Sequence, residues 1–275
     1  MVLRGLKQEV KQGLLRYHDS KRSGSMGETL KKKKESRILY FFIRLVIIIL
    51  IFTGVGIYIY SEDYYRASVI AENALVSEDG ITFSNVKGDL VFTPENPKGG
   101  VVIYPGGKVS ERAYAYLANK ISKMGYKTII LKAPLKLSIL NNNKAKTYVG
   151  DEEIDDWVVI GHSLGGVSAS MFTKKYPDKI KALVLLAAYP SSNTNLTDVP
   201  YKVYSLVGEK DAIIDRVALK NANLRLPEAT VHIDILGGNH SSFANYGVQD
   251  GDSLPDIGFE EQQQFILNLL EEAFE

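Results

Sequence analysis

A long apolar stretch near the N-terminus restricts the fold of this chain more than any other feature. Residues 38–60 read ILYFFIRLVIIILIFTGVGIYIY, and Arg44 is the one charged residue among them. As a helix this stretch is about 35 Å long, enough to cross a hydrocarbon core of about 30 Å. A helix on the core of a globular domain would be amphipathic, and this stretch is not. We therefore predict a single transmembrane helix over residues 38–60.

The flanks of this stretch predict its orientation. A cleaved signal peptide is the alternative, but the apolar region exceeds the usual ~7–15 residues and no A-x-A site follows Tyr60. Residues 1–37 carry eleven Lys or Arg against four Asp or Glu. Basic flanks stay in the cytoplasm, so we predict a basic cytoplasmic tail over residues 1–37, with the rest of the chain outside the cell membrane after Tyr60. Residues 61–74 are predicted to be a stalk.

The tail itself has two interpretations. It is either a disordered basic segment that only sets the topology or a short helix on the anionic inner leaflet. Apolar residues recur at helical spacing, which is compatible with the helix: Leu3, Leu6, Val10 and Leu14. Of the two interpretations, we favour the disordered basic segment.

Composition excludes several classes of function. The formal net charge is +1, so no global bias points to a nucleic-acid partner. The chain contains no cysteine, which excludes a disulfide framework, a thiolate nucleophile and a cysteine metal site. Nothing in the sequence implies a metal or an organic cofactor.

Strand-like and helix-like stretches alternate from Leu75 to the C-terminus. Short continuous apolar runs, such as VVIY before Pro105, are typical of strands buried on both faces. Helical periods lie between them, and Ser110 can cap one of these helices. The alternation predicts an α/β domain over residues 75–275, with a doubly wound, mostly parallel sheet. The predicted strands lie within 81–94 (a hairpin), 100–107, 127–134, 157–160, 181–190, 201–211 and 230–240, and the helices within 110–124, 164–176 and 259–274.

The pentapeptide GHSLG, residues 161–165, follows one of these strands and opens a helix. It fits the pattern G-x-S-x-G, whose glycines allow a turn so sharp that the serine hydroxyl stands above the carboxyl edge of the sheet. The free N–H groups of the helix N-terminus there favour a developing negative charge. The alternative is a glycine-rich turn in which Ser163 is an ordinary N-cap. Suitable partners elsewhere in the chain would favour a nucleophile.

A serine nucleophile needs a base, and the chain has four histidines. His18 precedes the apolar stretch and is predicted to lie across the membrane. His162 adjoins Ser163 and is expected to point elsewhere, while His232 lies inside a predicted strand. His240 follows the last predicted strand, where α/β sheets place ligand groups. By elimination, His240 is predicted to be the base.

The base in turn needs an orienting acid. The stretch YSLVGEKDAIID ends the preceding strand and offers Glu209, Asp211 and Asp215. We favour Asp211, because it comes a few residues after the strand, where a loop can turn it toward His240. The order Ser163, Asp211, His240, each after its own strand, is that of α/β-hydrolase triads and favours the nucleophile over the N-cap.

An oxyanion hole requires two backbone N–H groups. One should belong to Leu164, the residue after the nucleophile, and the other to a loop after an earlier strand. The loop YPGGKV, residues 104–109, is in that position, and its glycines allow a ligand to approach closely. Gly107 or Lys108 is the predicted donor, unless the loop is a plain glycine turn.

The motifs YPGGKV, GHSLGG, GEKD and GGNHSSFANYG, followed by QDGD, together resemble the α/β-hydrolase superfamily. They are most similar to a bacterial branch related to dienelactone hydrolases, and the resemblance extends from about Leu75 to the C-terminus. Dienelactone hydrolases proper use a cysteine nucleophile, which this chain lacks, so their substrate class does not carry over. By position, the resemblance implies a nucleophile at Ser163, an acid at Asp211, a base at His240 and oxyanion donors at Leu164 and at Gly107 or Lys108.

Together these features predict a membrane-anchored, extracytoplasmic serine hydrolase that cleaves ester-like bonds of a small-molecule or acyl substrate. One alternative is an acyltransferase that uses the same triad. Another is a non-catalytic surface binding module on a hydrolase scaffold, because a fold does not determine a function.

Overall fold

The computed structural model describes residues 2–150 and 153–275 of the chain. These residues form two compact units, Met1–Tyr60 and Ser61–Glu275. The first unit is made by helix α1, Val2–Glu62, which also supplies the first residues of the second unit.

Helix α1 contains the predicted transmembrane stretch. Its part Lys31–Glu62 is long and apolar enough to cross a membrane, and this part includes residues 38–60. The helix also continues N-terminally through the predicted tail as far as Val2. The favoured prediction of a disordered tail is therefore wrong, and the helical spacing of its apolar residues was the relevant signal.

The second unit is built on an eight-stranded sheet, counted over the described residues. The strands are β1 (Ile81–Val86), β2 (Asp89–Pro94), β3 (Gly99–Tyr104), β4 (Tyr126–Ile130), β5 (Trp157–His162), β6 (Ile180–Leu186), β7 (Lys202–Gly208) and β8 (Val231–Ile235). The helices are α2 (Val69–Asn73), α3 (Ala115–Lys123), α4 (Lys146–Val149), α5 (Leu164–Lys175), α6 (Arg216–Asn223) and α7 (Phe259–Phe274). Short 3-10 turns lie at Glu111–Tyr114, Pro134–Lys136, Ser138–Asn141 and Ser241–Phe243.

The sheet has the order β1-β2-β4-β3-β5-β6-β7-β8. Strands β1 and β2 form the predicted hairpin and pair antiparallel, as do β2 and β4. Every other neighbouring pair is parallel. The prediction of a mostly parallel α/β sheet is therefore confirmed. Because the carboxyl ends of parallel strands share one edge, the loops after β3, β5, β7 and β8 meet there.

Alternate residues of the central strands bury their side chains on opposite faces of the sheet. On β3, Val101 and Ile103 pack in one core cluster and Val102 and Tyr104 in the other. Helices α3 and α7 cover the first cluster, and α5 covers the second. Burial on both faces explains why the strands read as continuous apolar runs.

The segment 61–74, predicted as a stalk, is instead packed on the folded domain. Tyr65 forms a parallel bridge with Val109, and Ser68 N donates to the carbonyl of Asn245 at 2.7 Å. Oε1 of Glu72 also accepts a hydrogen bond from Nε of Arg112 at 2.7 Å, and Oε2 of Glu72 accepts one from Nη2 of Arg112. These partners lie some 40 or more residues away in the chain, so local composition gives no indication of them.

Candidate active site

Ser163 is the single residue between β5 and α5. Its backbone has φ 50° and ψ −124°, a conformation that residues other than glycine seldom adopt. Two hydrogen bonds of 2.9 Å hold it there, from Ser163 N to the carbonyl of Leu186 and from Gly166 N to the carbonyl of Ser163. Strain maintained by surrounding contacts is typical of functional residues. The predicted sharp turn at Ser163 is thus present.

The glycines around Ser163 are required by close backbone approach. A Cβ atom on Gly165 would lie 2.1 Å from the carbonyl oxygen of Tyr104. A Cβ atom on Gly161 would lie 2.5 Å from the Cα of Gly166. Helix α5 therefore starts directly against the end of β3 and its loop, which a larger residue at either position would prevent.

The loops after β7 and β8 bring Asp211 and His240 together. Atom Nδ1 of His240 lies 2.9 Å from Oδ2 of Asp211, and both side chains are buried. The other carboxylate oxygen, Oδ1, accepts hydrogen bonds from Ile213 N and Ile214 N at 2.9 and 2.8 Å. Asp211 is thereby fixed in one orientation, and the Nδ1 bond leaves Nε2 of His240 free to face a substrate.

The other two acid candidates have different partners. Oδ1 of Asp215 caps helix α6 by accepting from Val217 N and Ala218 N, each at 2.9 Å. Oε2 of Glu209 accepts from Gly237 N at 3.0 Å. The structure thus pairs His240 with Asp211 alone among the three.

Ser163 and His240 line the same pocket, a cavity of about 300 Å³. The hydrogen bonds of Ser163 are made by its backbone, so its hydroxyl is available to a reacting group. The bond from such a hydroxyl to its base often forms fully only when substrate binds. The other lining residues are mostly apolar: Leu164, Val167, Ala187, Ala188, Tyr189, Ile213, Ile214 and Asp215.

The loop after β3 contains two candidate oxyanion donors, Gly107 and Lys108, and their backbone N–H groups differ in whether they are already bonded. Lys108 N donates to the carbonyl of Lys136 at 2.9 Å and is therefore already engaged. Over the described part of the chain, neither Gly107 N nor Leu164 N donates to a protein acceptor. A Cβ atom on Gly107 would lie 3.0 Å from Cδ2 of Leu164, so the two residues are adjacent. Gly107 and Leu164 therefore remain as the candidate pair of oxyanion donors.

Sequence reasoning missed two buried residues that connect the parts of this site. The hydroxyl of Tyr114 accepts from Gly106 N at 2.8 Å and lies 2.7 Å from Nδ1 of His162. Nε2 of His162 lies 3.1 Å from the carbonyl oxygen of His240. This chain of three hydrogen bonds joins the oxyanion loop to the backbone of the candidate base.

The proton positions along these three hydrogen bonds follow from which atoms can donate and which can accept. The Tyr114 hydroxyl already accepts from Gly106, so it donates to Nδ1 of His162, and Nε2 then carries the proton given to the His240 carbonyl. His162 is neutral in this arrangement. Burial holds its pKa well below the ordinary value, with a contribution from the neighbouring His240. A histidine at the end of a fully apolar strand requires buried partners, and that was the available sequence signal.

Comparison with known proteins agrees with this architecture. The family model described as the alpha/beta hydrolase family matches residues 100–264, more than half of the chain. No curated protein matches the sequence.

Several solved structures share the fold. A dienelactone hydrolase from Anabaena variabilis is similar with a TM-score of 0.53 and 14% identity, covering 71% of this chain and 100% of that one. A carboxylesterase from Bacillus subtilis gives 0.52 and 11%, covering 79% and 98%. A CIB-like hydrolase from Thermoplasma acidophilum gives 0.52 and 16%, covering 70% and 97%. At such low sequence identities these structures show only a common fold, whereas the family-model match shows membership of the family. The sharp turn at Ser163 and the mostly parallel sheet agree with this match. Because the family model matches more than half of the chain, this chain belongs to the alpha/beta hydrolase family.

Proposed function

We propose that this protein is a membrane-anchored serine hydrolase that cleaves ester-like acyl bonds with Ser163, His240 and Asp211. One observation carries the proposal: a strained serine lines the same pocket as a buried histidine whose other ring nitrogen is bonded to a buried carboxylate. A structural serine would need neither the strain nor the pair. The hydrolase and esterase names of the structural neighbours accord with the reaction class.

In the proposed first step, Oγ of Ser163 attacks the carbonyl carbon of the substrate while Nε2 of His240 takes its proton. The carbonyl oxygen becomes negative, and the N–H groups of Gly107 and Leu164 donate to it. Each such donor lowers the barrier by roughly 3 kcal/mol. His240 then protonates the leaving alcohol, and the acyl group stays on Ser163.

In the second step, His240 takes a proton from water as the water attacks the acyl carbon. The bond from that carbon to Oγ of Ser163 then breaks, His240 returns the proton to Oγ, and the acid leaves. Throughout both steps, Asp211 accepts a hydrogen bond from the Nδ1–H group of His240. It keeps Nε2 unprotonated in the resting state and stabilises the imidazolium that forms in each step. The two backbone donors to Asp211 keep its carboxylate aimed at His240.

The proposed location is the cell membrane, with the N-terminus in the cytoplasm and the catalytic unit outside. The apolar segment of α1 and the basic residues that precede it support this orientation.

A covalent probe tests the proposed function. The full chain in detergent should react with a fluorophosphonate, and Ser163→Ala should not. Turnover of p-nitrophenyl butyrate should fall by about 10⁴ or more in that variant, leaving only catalysis by the oxyanion donors and binding. Ser170, a buried serine of α5 that donates to the Gly166 carbonyl, offers the matched control, Ser170→Ala. Labelling that survives in Ser163→Ala would contradict the assignment of the nucleophile.

A further inference from the structure

The segment that follows α1 is bonded directly to the oxyanion loop. Tyr65 N donates to the carbonyl of Lys108 at 2.8 Å, and Ser110 N donates to the carbonyl of Tyr65 at 2.9 Å. The ammonium group of Lys108 also forms an ion pair with Asp63. These contacts begin one residue after Glu62, where α1 ends.

Covalent reach therefore limits how far the active site can lie from the end of α1. A chain spans at most about 3.6 Å per residue, so Glu62 and Tyr65 are within about 11 Å of each other on any path. Tyr65 is bridged to Val109, and bridged residues are about 5 Å apart. Gly107, two residues before Val109, is therefore within about 23 Å of Glu62. The apolar stretch ends only two residues earlier, at Tyr60. The covalent path alone therefore limits the distance between Gly107 and the end of the predicted membrane span, whatever the angle between the two units.

A second contact brings an exposed apolar segment to the same place. Residues 135–140 support the oxyanion loop, because Lys136 accepts from Lys108 N and the Ser138 hydroxyl donates to the carbonyl of Pro105 at 2.9 Å. The ammonium group of Lys136 lies 4.7 Å from the ring centroid of Tyr64, two residues after α1. This segment thus touches both the active-site loop and the juxtamembrane chain.

The same segment presents large apolar side chains to solvent. Leu135, Ile139 and Leu140 are 37%, 36% and 54% exposed. Leu135 and Lys136 both have positive φ, 51° and 56°, a backbone conformation that residues other than glycine seldom adopt. Apolar side chains grouped on an exposed surface mark an interaction site, and here their segment contacts Tyr64, four residues after the predicted span ends.

The pocket has the character expected for an acyl chain. Its walls include Val167, Ala188 and Ile213, and among its described lining residues no Lys or Arg is present to bind an anionic group. We infer that the substrate is an acyl ester of a lipid in the same membrane that holds α1, and that residues 135–140 lie at its surface. This inference rests on the proposed serine-hydrolase function.

A comparison of two vesicle arrangements tests the inference with the unaltered full chain. In the first, the protein is reconstituted into phosphatidylglycerol–phosphatidylethanolamine vesicles that contain a diacyl lipid with a quenched fluorophore on one acyl chain. In the second, protein-containing vesicles without this lipid are mixed with lipid-containing vesicles without protein. Because the site is tethered to its own membrane, hydrolysis should be at least about tenfold faster in the first arrangement. Equal rates would overturn the inference.

Water-soluble p-nitrophenyl butyrate, measured on the same vesicles, separates this inference from the proposed function. Hydrolysis of the soluble ester without hydrolysis of the lipid would overturn the inference and leave the proposed function standing. Hydrolysis of neither ester would overturn both.

A surface variant tests the role of residues 135–140. Leu135→Ser combined with Leu140→Ser should lower lipid turnover by about tenfold, because binding to the interface scales with buried apolar area. Turnover of the soluble ester should stay within about twofold, which also reports that the variant is folded. The matched control is Leu224→Ser, since Leu224 is 81% exposed and follows α6, at the opposite edge of the sheet. An equal loss in the control, or no loss in the double variant, would contradict the inference. Should the double variant fail to fold, Leu140→Ser alone provides the same comparison.

Discussion

Nδ1 of His240, in the loop after β8, lies 2.9 Å from Oδ2 of Asp211, in the loop after β7. Both side chains are buried. Asp215, four residues later, caps helix α6 instead. The two carboxylates lie near one pocket, yet they have separable roles.

Substitution of each carboxylate by its amide tests this separation. Asp211→Asn should cut ester turnover by about 10⁴, because the amide allows the wrong imidazole tautomer and leaves the imidazolium without its partner. Asp215→Asn should stay within about tenfold of the wild type, because asparagine is also a good N-cap. Steady-state kinetics of the full chain in detergent measure both. The reverse ranking would make Asp215 the acid.

Tyr114 should act as a positioning residue through its bonds to Gly106 and His162. Tyr114→Phe leaves both partners without the hydroxyl, and the resulting shift of the oxyanion loop should lower kcat by between about tenfold and a hundredfold. Tyr201→Phe is the matched control, since Tyr201 is buried and its hydroxyl donates to Thr173 at 2.9 Å on the other face of the sheet. Both variants should lose about 1–3 kcal/mol of stability.

Only Tyr114→Phe should lose more turnover than its lower stability accounts for, whereas Tyr201→Phe should not. Comparable kcat losses in the two variants would show that the Tyr114 hydroxyl contributes stability alone.

The buried neutral His162 should make the free energy of unfolding fall in acid. Burial lowers its pKa in the folded protein, so the unfolded chain binds the proton first, near the ordinary histidine pKa of about 6.5. The contribution of neutral His162 to the free energy of unfolding is fully present above about pH 6.5. It is lost by up to about 1.4 kcal/mol per pH unit as the pH falls toward the folded-state pKa.

The variant His162→Gln should flatten this dependence below about pH 6.5. Denaturant unfolding can follow the fluorescence of Trp157, the one tryptophan of the chain, which is fully buried. The exposed His232 offers the control, His232→Gln, which should keep the wild-type slope. An unchanged slope in His162→Gln would contradict the assignment.

Thiol labelling can test the topology, because the chain has no native cysteine. A membrane-impermeant maleimide should label Ser192→Cys in intact cells, since Ser192 is exposed on the catalytic unit. Ser23→Cys should react only after the cells are permeabilised, because in the proposed orientation the basic flank of α1 lies in the cytoplasm. Labelling of Ser23→Cys alone in intact cells would reverse the proposed orientation.

The sequence by itself determined the features that depend on local patterns. The apolar stretch over residues 38–60 is a property of consecutive residues, and so are the apolar runs of strands buried on both faces. The turn at Ser163 also follows from neighbours, because glycines at 161 and 165 allow a backbone approach that no other residue tolerates. The sequence patterns do not define helix α6, although its N-cap, Asp215, is a residue type that favours helix starts.

Only the tertiary structure decided the features that depend on where distant loops meet. The choice of Asp211 over Glu209 depends on a bond from Gly237 to Glu209, 28 residues away. Gly107 is favoured over Lys108 because the Lys136 carbonyl occupies the Lys108 N–H. The predicted stalk packs on the domain because Tyr65 meets Val109. Local sequence encodes periodicity and backbone freedom, whereas the partner of each polar group is settled when strands far apart in the chain pair along one sheet edge.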